Sequence, residues 1–240
     1  MSLVKHIPNT ITSMNLLSGT MGVIFTMDGR PDIAFFLMLA AAVFDFCDGL
    51  AARMLGAYSP IGKELDSLAD MVSFGVLPSL MLLKTMQLHG HAGWESFLPL
   101  FLAVMSGLRL AKFNVDERQG SDFIGVATPT AALICASLSY FLYVNPGTFL
   151  SAWAATSWGL PTLAVVLGLL LVSEIPMFGM KVAPGHRLLD GKRIVFLALS
   201  LVAMAVTAAL GLNWSLAVLL VFLIYLAVNL CLQAFNFLVR

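Results

Sequence analysis

Two stretches of this 240-residue chain carry no charged side chain: Phe123 to Ser173 and Ile194 to Val239, runs of 51 and 46 residues. A soluble core would have to bury both runs whole, whereas a bilayer accommodates each as two helices of about 20 residues with a turn between them. The remainder of the chain agrees. It is 60% hydrophobic and 11% charged, with a mean hydropathy of +0.94, where an average soluble domain is about 25% charged. Thirteen Lys and Arg balance thirteen Asp and Glu with no basic block, which excludes a disordered chain and a nucleic-acid partner. The fold class this leaves is an all-α integral membrane protein, a polytopic bundle solvated by membrane lipids, and its chemistry should sit where the charges are.

Breaks at Asp28-Gly29-Arg30-Pro31, His89-Gly90-His91-Ala92-Gly93, Asn145-Pro146-Gly147 and Gly211-Leu212-Asn213 predict about eight transmembrane helices. They fall near 11–27, 32–54, 64–87, 95–113, 126–144, 151–174, 193–210 and 213–234. Gly159 and Pro161 interrupt the sixth. No internal repeat or linker divides the chain, so residues 1–240 are expected to form one transmembrane catalytic domain. An even number of spans puts both termini on one side. With them fall Lys5, Arg53, Lys63, Arg109, Lys112, Arg118, Lys181, Arg187, Lys192, Arg193 and Arg240, and only Arg30 and Lys84 fall opposite. Positive charge marks the cytoplasmic side. The expected location is therefore the plasma (inner) membrane, with the site and both termini facing the cytoplasm. The first apolar run lacks a small-x-small cleavage pattern, so no removable signal peptide is expected.

Four aspartates lie inside otherwise apolar helices. The second helix ends Asp45-Phe46-Cys47-Asp48-Gly49-Leu50-Ala51-Ala52-Arg53, and the third begins Gly62-Lys63-Glu64-Leu65-Asp66-Ser67-Leu68-Ala69-Asp70. Asp45 and Asp48 are one turn apart on one face, and so are Asp66 and Asp70, whose face continues to Ser73. About ten residues join the two helices, which are expected to pack as antiparallel neighbours with all four carboxylates converging near the cytoplasmic boundary. Such a group repels itself unless cations intervene, and all-oxygen ligands suit Mg²⁺ or Mn²⁺. Gly49 and Ala52 leave room beside the acids for a diphosphate, and Arg53 supplies a planar cation for a further phosphate or ribose contact. An ion or proton pathway through the same aspartates is the competing interpretation of these residues.

Residues 45–70 read D-x2-D-G-x2-A-R-x8-G-x3-D-x3-D. This resembles the signature of the CDP-alcohol phosphotransferases, membrane enzymes that displace CMP from a CDP-linked substrate with an alcohol. The resemblance implies that Asp45, Asp48, Asp66 and Asp70 hold two Mg²⁺ or Mn²⁺ ions. It also implies that Asp70 deprotonates the attacking hydroxyl, and that Gly49, Ala52, Arg53 and Gly62 line the CDP site.

Several further segments are similar to the phosphatidylserine synthase branch. They are 7–19 (Ile7-Pro8-Asn9-Thr10 through Ser18-Gly19), 66–76, Arg109-Leu110-Ala111-Lys112-Phe113-Asn114, 123–129 and 172–178. Transfer of a phosphatidyl group from CDP-diacylglycerol to L-serine, a step of phospholipid biosynthesis, is what this similarity implies, and a homodimer with it. Lys112 stands where the branch carries arginine, and Val126-Ala127 where it carries Leu-Pro. Glycerol phosphate or an inositol compound is the alternative acceptor within the same chemistry.

Serine needs a cation for its carboxylate. Arg109 and Lys112, one turn apart within the presumed acceptor region 105–130, supply candidates, with Asn114, Ser73 and Thr128 as polar contacts. Asn9 is placed with the CDP site. The remaining features suggest less. Cys47, Cys135 and Cys231 lie in apolar runs without metal spacing and are expected to be buried, inert thiols. His89 and His91 fall on the side opposite the aspartates, and two ligands do not close a metal site. Trp94, Trp153, Trp158 and Trp214 fit interfacial belts.

Overall fold

In the computed structural model, residues 6–116, 123–178 and 191–238 are described. The helices are α1 (Ile7–Met27), α2 (Pro31–Met54), α3 (Pro60–Leu88), α4 (Trp94–Val115), α5 (Thr128–Val144), α6 (Phe149–Ala154), α7 (Gly159–Val172), α8 (Gly191–Ala209) and α9 (Trp214–Leu238). Five of them, α2, α3, α4, α8 and α9, are long and apolar enough to cross a membrane, while α5 and α7 are apolar but shorter. The expected sixth helix is two: α6 and α7 are separated at Ala155–Trp158, just ahead of Gly159 and Pro161. Helices begin earlier than hydropathy alone suggested where proline sits at the first turn. Pro8 opens α1, and Pro60 opens α3 behind Ser59, whose hydroxyl accepts from Gly62 N–H at 3.0 Å.

α3 is not uniform. Its α-helical turns run to Asp70, then Met71–Val76 form a π-helical segment, then the α-helix resumes at Leu77. Pro78 has no N–H to offer the carbonyl four residues back, so the hydrogen-bond ladder is broken beside this segment. The wide turn resets the phase of the helix directly after Asp70 and buries Ser73, Phe74 and Gly75.

The expectation that α2 and α3 pack flank to flank is corrected by the structure. α1 packs against α2 and along the whole of α3, whereas α2 makes little direct contact with the first turns of α3. The sequence of α1 explains the approach. Ser18, Gly19, Gly22 and Thr26 form a buried stripe of small residues. A Cβ on Gly19 would stand 2.9 Å from the Ser73 Cα, and one on Gly22 would stand 2.6 Å from Leu77 Cδ2. Small residues let helix backbones come this close in a bilayer. The acid-bearing ends of α2 and α3 are thereby held together yet left open between them.

α5 is the buried centre, packed against α2, α3 and α9. α4 pairs with α7, and α8 with α9. One short antiparallel ladder, β1 (Phe123–Ile124) with β2 (Pro176–Met177), ties the segment before α5 to the segment after α7. It is a local exception to the all-α architecture. Cys135 is buried as expected, but Cys47 is only partly buried and Cys231 is exposed on α9.

Candidate active site

Asp45 and Asp48 come from the last turns of α2, and Asp66 and Asp70 from the first stretch of α3. Oxygens of Asp45, Asp48 and Asp66 all lie within 4.8 Å of one another. Asp70 sits one turn deeper, where its carboxylate meets that of Asp45 and accepts a hydrogen bond from Asn15 Nδ2 at 3.3 Å. Asp48 Oδ2 and Asp66 Oδ1 are buried with no hydrogen-bond partner. The acid at the opposite end of α2 behaves differently. Asp32 takes two hydrogen bonds from Arg30, from Nε at 3.1 Å and from the terminal amine at 2.9 Å.

Buried carboxylate oxygens without donors are costly unless a cation satisfies them. Three oxygen donors within 4.8 Å, two bearing orphaned atoms, fit a hard divalent ion, with Asp45, Asp48 and Asp66 as ligands. Asp70 borders the same group.

Next to the acids opens a cleft of about 500 Å³ lined by Pro8, Thr12, Asp48, Gly49, Ala52, Gly62 and Asp66, among others. It occupies the gap left where α2 and the start of α3 fail to pack. Gly49 has no atom within 4 Å of where its Cβ would be, so it leaves open space on the acidic face. Gly62 is needed for another reason: a Cβ there would stand 2.9 Å from both Asn9 Oδ1 and Ser59 Oγ. Asn9 thus lies against Gly62 at the cleft wall. Arg53 is exposed, and its Nε donates to the Gly49 carbonyl at 2.9 Å. It is not among the residues lining the cleft.

The residues grouped from sequence as an acceptor pocket do not form one set. Arg109 is buried at 8% exposure and donates to Thr128 Oγ1 at 2.8 Å. Its guanidinium stacks over Phe113 at 5.3 Å and is near enough to act electrostatically on Asp70. Lys112 is exposed, with Nζ donating to the Val172 carbonyl at 3.3 Å. Asn114 turns the other way. Its Nδ2 donates to Ser67 Oγ at 2.8 Å and its carbonyl accepts from Lys63 Nζ at 2.9 Å, tying α4 to α3. Ser73 is fully buried and donates to Asn15 Oδ1 at 2.7 Å.

Sequence reasoning missed Asn15. It is buried and forms the middle of a relay in which Ser73 fixes its amide oxygen and its amide nitrogen holds Asp70. Its signal was present: an asparagine on the small-residue face of α1, in register with Gly19 and Gly22. Thr12 was also missed. It lines the cleft beside Asp48, with its hydroxyl donating to the Pro8 carbonyl at 3.0 Å. Both histidines are placed against backbone carbonyls on the side away from the aspartates. His89 Nδ1 lies 2.8 Å from the Thr85 carbonyl, and His91 Nε2 lies 2.6 Å from that of Ala155.

The model of the CDP-alcohol phosphatidyltransferase family matches residues 5–183. A CDP-diacylglycerol–serine O-phosphatidyltransferase of Mycobacterium leprae (strain TN) is 34% identical over 182 residues, 72% of this chain and 58% of that protein. The enzyme of the same name from Bacillus subtilis (strain 168) is 34% identical over 137 residues, 57% of this chain and 77% of its own length. An archaetidylserine synthase of Methanothermobacter thermautotrophicus is 34% identical over 134 residues, covering 55% of this chain and 56% of that protein. The chain spans about three-fifths of the length of the mycobacterial relatives it matches.

Proposed function

Because this chain belongs to the CDP-alcohol phosphatidyltransferase family, we propose that it transfers the phosphatidyl group of CDP-diacylglycerol to the hydroxyl of L-serine, releasing CMP and phosphatidylserine. The observation that carries this reading is the open cleft whose wall includes two donor-starved aspartates, with the Asn15-held Asp70 behind it. Its dimensions suit a nucleotide diphosphate, and its mouth lies between helix ends rather than along a pore. The names of the relatives support serine as acceptor.

Asp45, Asp48, Asp66 and Asp70 are the proposed ligands for two ions, Mg²⁺ or Mn²⁺. Bound there, divalent ions supply charge neutralisation to the diphosphate and draw electron density from the attacked phosphorus. The small Gly49, Ala52 and Gly62 admit the CDP moiety, and Asn9 borders it. Arg53, at the rim, contributes positive charge. Asp70 takes the proton from the serine hydroxyl as the new O–P bond forms. The bond to CMP breaks with its electron pair leaving on the CMP phosphate. Asn15 occupies one Asp70 oxygen, which orients the other. Arg109, carried by Thr128, offers a cation to the serine carboxylate, with Lys112 nearer the surface. The site is proposed to face the cytoplasm, and the chain to act as a homodimer in the plasma membrane.

The test is CMP release by purified protein given CDP-diacylglycerol and Mn²⁺ or Mg²⁺ with separate alcohols. Release with L-serine is expected. Release only with glycerol phosphate or inositol compounds would move the acceptor assignment, and none with any alcohol would return the aspartates to an ion pathway.

A further inference from the structure

α9 lies beyond the residues matched by the family model, which end at 183. It is charge-free, yet three of its polar side chains, four residues apart, fall on one face: Tyr225, Asn229 and Gln233. All three are bonded to the backbone of the short segment that follows α7. Gln233 Nε2 donates to the Pro176 carbonyl at 3.0 Å. The Phe178 N–H donates to Asn229 Oδ1 at 2.8 Å, and Tyr225 Oη donates to the Phe178 carbonyl at 3.0 Å. Asn229 is 2% exposed, and its Nδ2 is in turn bonded to the Tyr225 carbonyl at 2.8 Å. A buried asparagine in an apolar helix is expensive unless both ends of its amide are engaged, and here they are.

The segment these residues hold leads to Arg109 and Lys112. Pro176 and Met177 form β2, paired with β1. Immediately beyond, Gly125 N–H donates to the Ile175 carbonyl at 2.9 Å and Val126 N–H to the Leu170 carbonyl at 3.1 Å. Gly125 has φ 73°, and a Cβ there would stand 2.9 Å from the Ser173 carbonyl oxygen, so this join admits no side chain. Two residues after Val126 comes Thr128, which holds Arg109. On the other side of the clasp, the carbonyl of Val172, the last residue of α7, accepts from Lys112 Nζ. Both cations proposed for the acceptor are therefore seated on a backbone clasp whose far side is gripped by α9.

We infer that Asn229, together with Tyr225 and Gln233, is a positioning residue for the acceptor alcohol, acting through the 123–128 and 170–178 clasp on Arg109 and Lys112. The inference rests on the assignment of those two cations to the acceptor. It gives the C-terminal hairpin a task in selectivity as well as in anchoring. The CDP cleft, built from α1, α2 and α3, is independent of this grip.

The experiment compares Gln233→Ala, Asn229→Leu and Asn229→Asp with wild type in full steady-state kinetics against both substrates. Asn229→Asp keeps an oxygen for the Phe178 N–H. Loss of one or two such bonds is expected to raise KM for the acceptor by about three- to tenfold, with Gln233→Ala at the low end and KM for the CDP-lipid within about twofold. Asn229→Asp should restore part of the shift. Parallel loss of active enzyme with both KM values unchanged would mean a merely structural role and overturn the inference. If Asn229→Leu does not fold, Gln233→Ala, which removes only a bond at the accessible end of the ladder, decides alone. Thr128→Ala, measured alongside, separates the two levels. A raised acceptor KM in Thr128→Ala without one in the α9 variants defeats the clasp and leaves the acceptor site standing. No shift in any of them defeats both.

Discussion

The α1–α3 group and the α8–α9 hairpin are both apolar, yet they treat polar side chains in opposite ways. In the first, Asn15, Asp45, Asp48, Asp66, Asp70 and Ser73 are gathered between helices, and two of the carboxylate oxygens are left wanting. In the second, Leu199, Leu201, Val202 and Val206 of α8 stand exposed on a helix that packs mainly on α9, and Tyr225, Asn229 and Gln233 of α9 are spent on the segment 176–178. A membrane helix tolerates polar groups only where something answers them. Groups answered by protein hold structure; among those left unanswered, the carboxylate oxygens of Asp48 and Asp66 are far costlier to bury than the lone hydroxyls of Ser139, Ser200 and Ser215, and they are the ones that call for a cation.

The sharpest break of that contrast is at Asp70. Asp70→Asn keeps the shape but removes the proposed base, so CMP release should fall by about 10²–10⁴-fold while CDP-lipid binding stays near wild type. Activity above a tenth of wild type would remove Asp70 from the proton transfer. The measurement is turnover together with equilibrium binding of the CDP-lipid on the same preparation.

The two ends of α2 give the next test. Chelation should stop turnover, and added Mn²⁺ should restore it. Asp48→Asn should raise the Mn²⁺ concentration needed for half-activation by at least about tenfold. Asp32→Asn, which breaks a partly exposed pair with Arg30, should leave that titration unchanged. Equal metal dependence of the two variants would show that the orphaned oxygen of Asp48 has no bearing on metal.

A smaller effect is expected from Ser73→Ala. The hydroxyl touches neither cleft nor proposed acceptor; it aligns Asn15, which aligns Asp70. Turnover should drop by about tenfold through misorientation of the base, with KM for the CDP-lipid unchanged. A change in acceptor KM alone would instead return Ser73 to the acceptor pocket where its sequence position had put it.

That residue illustrates what a linear pattern contains. The spacing of Asp45, Asp48, Asp66 and Asp70 was enough to predict that the carboxylates come together, because one-turn offsets keep each pair on one face of its helix. The existence and rough bounds of the long helices were equally readable from hydropathy. The intervening role of α1 was not, because it depends on a close approach through Gly19 and Gly22 that hydropathy does not register. The π-helical segment was hidden too, since Pro78 signals a break without saying how the ladder is repaired. Asn114 and Ser73 look like site residues because they are polar and close in sequence to charged ones. Their bonds to Ser67 and Asn15 are facts of tertiary packing.

The smallest effect should separate scaffold facing lipid from scaffold facing protein. Leu201 is 61% exposed on α8, while Leu82 of α3 is completely buried in the core beside α5. In a bilayer the hydrophobic effect does not distinguish the two positions, since lipid solvates an exposed leucine as well as protein does. Packing does distinguish them, because a buried truncation leaves a void that its neighbours fill only in part. Leu82→Ala should cost about 2–5 kcal/mol if soluble-core values carry over. Leu201→Ala should stay within about 0.5 kcal/mol and leave the kinetics untouched. Thermal unfolding in bilayer-mimicking micelles measures both. A large loss for Leu201→Ala would mean that the outer face of α8 is covered by protein, and the hairpin would then belong to an interface as well as to the clasp.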